Sequence, residues 1–128
     1  MDFPDDLRYT REHEWARRKG RNVVVGITEY AQDQLGDVVY LELPDVGDAV
    51  KRGESFGVVE STKAVSELFA PVSGKVVEVN DPLSDAPEAV NEDPYEEGWM
   101  IVIEPSDPGE LETLMDARAY QAFVEEQE

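Results

Sequence analysis

The stretch Gly57 to Ala70, GVVESTKAVSELFA, constrains the fold more than any other part of this 128-residue chain. Val58 and Val59 belong to one β-type run. In the next, Val65, Glu67 and Phe69 alternate with Ser66, Leu68 and Ala70, the period of a strand with two unlike faces. Between the runs, Ser61 and Thr62 can hydrogen-bond their local backbone and favour a turn. The pattern predicts a β-hairpin with Lys63 at or near its tip. A strand pair is a stiff mount, and its tip is clear of any core. A lysine held there is open to an enzyme that modifies it.

The rest of the chain is read around that hairpin. Residues 1–8 are expected to be a loose tail held by Phe3 and Leu7. Glu12 to Ile27 reads as a second hairpin, with Arg17 to Asn22 as its turn and with Trp15 and His13 on one face. Residues 28–36 read as a short helix, capped by Thr28 and ended by Gly36. Val38 to Leu43 is a strand stopped by Pro44, and Lys75 to Val79 is another. Asn80 to Gly98 is a long acidic connection with room for one helical turn, followed by a last strand over Trp99 to Glu104. Residues 107–126 predict helices. Asp107, Pro108 and Glu110 form a capping-box arrangement there, Asp116 caps a second helix, and Tyr120, Phe123 and Val124 face inward. Pro44, Gly47 and Val50 share the spacing P-x-x-G-x-x-V with Pro71, Gly74 and Val77, a weak internal echo. The length predicts a single domain over 1–128.

Composition excludes several functions. Thirty acidic residues face eleven basic ones, giving a net charge of −19. That balance opposes binding to nucleic acid or to anionic membranes, which need positive surface. It also favours a monomer at low salt and reads as adaptation to high salt, an ordinary acidic protein being the alternative. There is no cysteine, so disulfides, thiolate metal sites and thiol catalysis are excluded. Any sulfur chemistry must come from an added group. No phosphate loop and no HExxH are present, and the single histidine, His13, has no partner nearby in sequence, which argues against an enzyme. The acidic start, MDFPDDLRYT, resembles neither a signal nor a transit peptide, and no apolar run is long enough to span a bilayer, so a cytoplasmic protein is expected. Among the four lysines, Lys19 and Lys51 lie in turns and Lys75 opens a strand. Lys63 has strands on both sides and small neighbours, Thr62 and Ala64.

Glu60-Ser61-Thr62-Lys63-Ala64 resembles the attachment turn of lipoyl carrier domains. The wider run VVESTKAVSELFAPVSGKVVEVN is similar to the H-protein family of the glycine cleavage system. So are EHEW (Glu12 to Trp15), VGITEYAQDQLGDVVYLELP (Val25 to Pro44) and NEDPYEEGWM (Asn91 to Met100), and the likeness runs from about Tyr9 to Phe123. The resemblance implies an all-β fold. It would be a lipoyl-type barrel-sandwich of two small antiparallel sheets, with the short helix and the helical C-terminus added.

The resemblance also implies a function. Lipoate would be joined to Lys63 as an amide, which removes the lysine charge. The chain would be a non-catalytic carrier. It would take an aminomethyl group from glycine decarboxylase to aminomethyltransferase, and electrons to dihydrolipoyl dehydrogenase, after loading by a lipoate attachment enzyme. Glu14 and Glu67 match positions that line a cleft for the loaded arm, where carboxylates suit a terminal ammonium. Relatives often have aspartate at the Glu67 position and some have serine at the Glu12 position, so contacts there differ. Glu60 stands where the attachment enzyme would be guided. The alternatives are an H-like carrier in a lipoate relay or in sulfur oxidation and, in another class, an unlipoylated scaffold. Each glutamate has a plainer reading as surface charge, and the Arg17 to Arg21 cluster as a solvated turn or a dock for an acidic partner.

Overall fold

The structure is a computed structural model and describes residues 1–127. In chain order the strands and helices are β1 (Arg8–Tyr9), β2 (Glu14–Lys19), β3 (Asn22–Ile27), α1 (Glu29–Leu35), β4 (Val38–Glu42), β5 (Ala49–Val50), β6 (Ser55–Ser61), β7 (Val65–Phe69) and β8 (Gly74–Val79). They continue with α2 (Pro82–Asp85), α3 (Ala89–Glu92), β9 (Ile101–Pro105), a 3₁₀ turn (Pro108–Thr113) and α4 (Ala117–Gln127). Six strands form one antiparallel sheet in the order β1-β2-β3-β9-β8-β5, and three form a second in the order β4-β6-β7.

Alternation along the larger sheet builds two cores. Ala16, Val25, Ile101, Ile103 and Val76 point toward the small sheet and meet Leu41, Val59 and Leu68. The opposite face carries Trp15, Val24 and Val102 and is roofed by Tyr9, Tyr120 and Val124. The end of β2 is therefore buried on both sides, and Glu14, Trp15 and Ala16 are each at most 1% exposed. Trp15 lies opposite Gly26, where a Cβ would come within 2.6 Å of the indole. Glycine is the residue that fits beside that ring.

Several expectations need correction. Arg17, Arg18 and Lys19 are strand residues, and the turn is Gly20-Arg21 with Gly20 at φ +63. The basic cluster is then partly tied down: Arg17 donates to the Tyr95 carbonyl and pairs with Glu96, while Arg18 pairs with Glu112. The acidic connection holds two single-turn helices, α2 and α3. Asp107 caps the 3₁₀ turn through Gly109, but Glu110 leaves the capping box, its Oε1 accepting from the Ser73 N–H at 2.7 Å. Phe3 and Leu7 hold the first residues as expected. In addition Tyr95 donates to the Asp2 carbonyl, and Arg8–Tyr9 form a strand. The two P-x-x-G-x-x-V segments lie side by side, Val50 opposite Gly74.

Candidate functional site

Ser61 builds the hairpin tip. Its Oγ accepts from the backbone N–H groups of Lys63 (3.3 Å) and Ala64 (3.0 Å), and its own N–H donates to the Ala64 carbonyl at 2.8 Å. Thr62 contributes its backbone N–H, which donates to the Asp37 carbonyl at 3.0 Å and ties the tip to the segment after α1. Lys63 is exposed and, among the described residues, takes part in no ion pair. Its stem runs past Gly36, where a Cβ would meet Lys63 Cε at 3.3 Å. Gly36 sits at φ +79, a conformation suited to glycine, so one residue both ends the helix and leaves room for the lysine.

Helix α1 leads from this amine to a second polar centre. Its seven residues span about 10 Å at ~1.5 Å each. At its start, the Thr28 hydroxyl caps Ala31 and the Thr28 N–H donates to the His13 carbonyl at 3.1 Å. A cavity of about 320 Å³ lies along the helix. Ile27, Ala31, Leu35 and Leu68 give it apolar walls, while Glu12, His13 and Glu14 close one end. Glu67, exposed on the edge strand β7, lines the same cavity. The structure thus brings Glu14 and Glu67 to one groove. Glu60 lies elsewhere, half-buried on β6 between Tyr40 and Val65 of the neighbouring strands.

Glu14 is 1% exposed, so it is not the surface charge its composition suggests. Thr10 Oγ1 accepts from the N–H groups of Glu12 (3.2 Å) and Glu14 (3.1 Å), which leaves its own hydrogen for Glu14 Oε1 at 2.6 Å. Glu14 Oε2 accepts from the Phe69 N–H at 3.2 Å. The strand that begins beside Lys63 therefore ends bonded to Glu14. Burial pushes the carboxyl up to about 7, against the pull of the Thr10 and Phe69 hydrogen bonds and with help from the charge of Glu12. Both oxygens face donors, so the frame favours the ionised form while the low dielectric opposes it.

His13 precedes the strand and adopts φ +75, an uncommon conformation for a residue with a side chain. Its partner comes from α4: Nδ1 lies 2.8 Å from the Tyr120 hydroxyl, which lies 2.8 Å from Thr28 Oγ1. One phenol thus joins the corner, the start of α1 and the C-terminal helix. Burial lowers the His13 pKa, so the imidazole is neutral near pH 7 and adds no positive charge to the groove. Sequence reasoning found neither Tyr120 nor Thr10 in these roles. Tyr120 is 107 residues from His13 and leaves no local signal. Thr10 stands four residues before Glu14, a spacing that a search for hydroxyl hubs could have flagged.

Known proteins resemble this chain in sequence and in fold. The chain is 83% identical over 128 residues, all of both sequences, to the glycine cleavage system H protein of Anaeromyxobacter sp. (strain K). It is 62% identical over 124 residues to that of Myxococcus xanthus, covering 97% of this chain and 96% of the relative. A crystal structure of a glycine cleavage system H protein from Mycobacterium marinum superposes with a TM-score of 0.85 at 40% identity, covering 98% of each chain. The family profile described as Glycine cleavage H-protein matches residues 7–127. With the exposed lysine, the helix-walled groove and the two-sheet fold already in place, this chain belongs to the glycine cleavage H-protein family.

Proposed function

We infer that this chain is the lipoyl carrier of a glycine cleavage system, moving an aminomethyl group derived from glycine on a lipoyl group amide-linked to Lys63. Its partners would be glycine decarboxylase, aminomethyltransferase, dihydrolipoyl dehydrogenase and a lipoate attachment enzyme. The observation that carries the reading is an exposed lysine whose stem runs past the C-terminal end of α1, the same helix that walls a groove ending at a buried glutamate. When bound, lipoate supplies a dithiolane able to accept a carbon nucleophile or two electrons. The polypeptide contributes position and environment. Ser61 holds the turn that presents the amine, and Gly36 leaves the lysine stem a path toward α1. The apolar wall of α1 suits a hydrocarbon arm. Glu14, with Glu67 at the rim, suits a terminal ammonium, since a carboxylate in a dry site attracts a cation more strongly than one in water. Excluding water there also slows hydrolytic loss of the cargo. The chain itself then needs no catalytic group.

The test is intact mass combined with glycine–bicarbonate exchange in the presence of a glycine decarboxylase. Protein from a lipoate-competent host should gain one lipoyl group at Lys63 and support exchange, while the unmodified chain should not. A fully lipoylated protein that supports no exchange overturns the reading. Glu14→Ala should leave lipoylation intact but speed loss of the aminomethyl group. Equal decay in variant and wild type removes Glu14 from the mechanism.

A further inference from the structure

Apart from Glu67 at its edge, the outer face of the small sheet has no task in the carrier cycle described above, yet it is built unusually. Between Val38 and Tyr40 the β4–β6 register shifts by one residue, so Val38 stands opposite Ser61 and Tyr40 opposite Glu60. The extra residue is Val39. Because of this bulge, Val39 and Tyr40 are adjacent in sequence and both exposed, at 54% and 50%. A regular strand would have turned one of them inward. Tyr40, Glu60 and Val65 then form a cross-strand row about 10 Å wide, with Val65 67% exposed. The next row on this face, Glu42 and Glu67 on either side of Val58, rims the strip with carboxylates. Core packing does not account for three large apolar side chains left in water on so small a sheet.

We propose that this strip of Val39, Tyr40 and Val65 is the docking surface for the enzyme that acylates Lys63, a partner with an apolar centre and a basic rim. The proposal rests on the reading that Lys63 is the acylated residue. Continuity supports it: Val65 is two residues beyond Lys63, and the backbone of Asp37, just before β4, bonds the turn through Thr62. The other face of the sheet is taken up by Leu41, Val59 and Leu68 in the core. The outer face is therefore the side of the sheet left open to an enzyme that grips the hairpin. Charge selects the kind of partner. A second copy of a chain with net charge −19 would bring carboxylates against carboxylates, whereas a lysine- or arginine-rimmed surface is attracted. The hairpin then divides its duties by face, loading on the outside and arm storage along α1. This extends the role expected of Glu60 from one side chain to a surface.

The experiment is steady-state acylation of unmodified protein by a purified lipoate–protein ligase with lipoate and ATP. Tyr40→Thr combined with Val65→Thr keeps residues of high β-propensity in both strands. The double variant should raise KM about tenfold while kcat stays within about twofold. Val46→Thr, equally exposed but in the turn before β5, should match wild type. Thermal unfolding of each variant establishes that the fold is retained. After forced full loading, the double variant should support glycine–bicarbonate exchange at the wild-type rate. Unchanged kcat/KM in a folded double variant overturns the proposal. So does normal acylation with impaired exchange, which would give the strip to a different partner. A wild-type dimer that the double variant dissolves also overturns it, in favour of a second copy. Acylation that persists in Lys63→Arg overturns the underlying reading of the lysine instead.

Discussion

At one end of α1, a three-residue turn holds an exposed amine through the side chain of one serine. At the other, a carboxylate that is 1% exposed is fixed by a threonine hub and a strand N–H, beside a histidine in a left-handed backbone conformation tied to α4. The tip is mostly local: the Ser61 side chain bonds residues two and three away, and one bond from Thr62 to Asp37 ties it to the segment after α1. The corner is non-local, with partners 55 and 107 residues away. A group that must be reached by another enzyme has to stand in water on a mount that needs little else. A group that holds a cation against water has to be desolvated, and desolvation is maintained only when several elements converge on it.

The sharpest way to break this contrast is Lys63→Arg. It should abolish lipoylation and exchange entirely while shifting unfolding free energy by less than about 0.5 kcal/mol, as for an exposed residue. Unfolding and exchange measured side by side decide it, and a large stability loss would show that the tip is part of the frame.

At the corner, pH should act next most strongly. The folded pKa of Glu14, about 7, lies above its ordinary value of 4.5. The native state therefore binds the proton more tightly, so this contribution is full below about 4.5 and is lost as pH rises through 7. It amounts to up to about 3 kcal/mol. Urea unfolding across that window should show wild type losing stability relative to Glu14→Gln as pH rises; parallel curves would mean that Glu14 is ionised throughout.

Replacing the two organising hydroxyls sharpens the comparison further. Thr10→Val strands the Glu14 N–H and one oxygen of a carboxylate that is 1% exposed, and should cost about 2 kcal/mol, whereas Ser61→Ala removes hydrogen bonds to the N–H groups of exposed Lys63 and Ala64 and should cost about 1 kcal/mol or less. Chemical denaturation of both variants is the check, and equal losses would erase the distinction.

The smallest effect expected is from salt. Among the described residues three ion pairs form, all from arginines, against thirty acidic residues in the chain. Raising potassium chloride toward molar should stabilise the fold by on the order of 1 kcal/mol. Thermal midpoints that stay flat with salt would remove the idea of salt adaptation.

What the sequence disclosed follows the same division. The hairpin, the turn at Lys63 and the caps of α1 were legible because their determinants sit within a few residues of one another. Strand β2 was read less well. Both its faces are buried near Glu14, so alternation there carries no inside–outside signal. The basic run Arg17 to Lys19 reads as a turn for a different reason: its charged, largely exposed side chains followed by Gly20 look like a loop, yet it continues the strand. Glu110 had the spacing for a capping box, but Ser73, brought alongside by the fold, supplied a competing donor. Val39 was invisible as a bulge because pairing across strands, not composition, sets register.

Because α1 forms a wall from Gly36 to the Thr28–His13 junction, it acts, under the proposed function, as a ruler between graft point and receptor. Exchanging its outward residues changes the markings, but inserting one residue changes the length and turns every later side chain by about 100°. Such an insertion would swing Leu35 off the groove and move Gly36 from beneath Lys63. Variation in this segment should therefore be tolerated as substitution and rejected as a change in residue count.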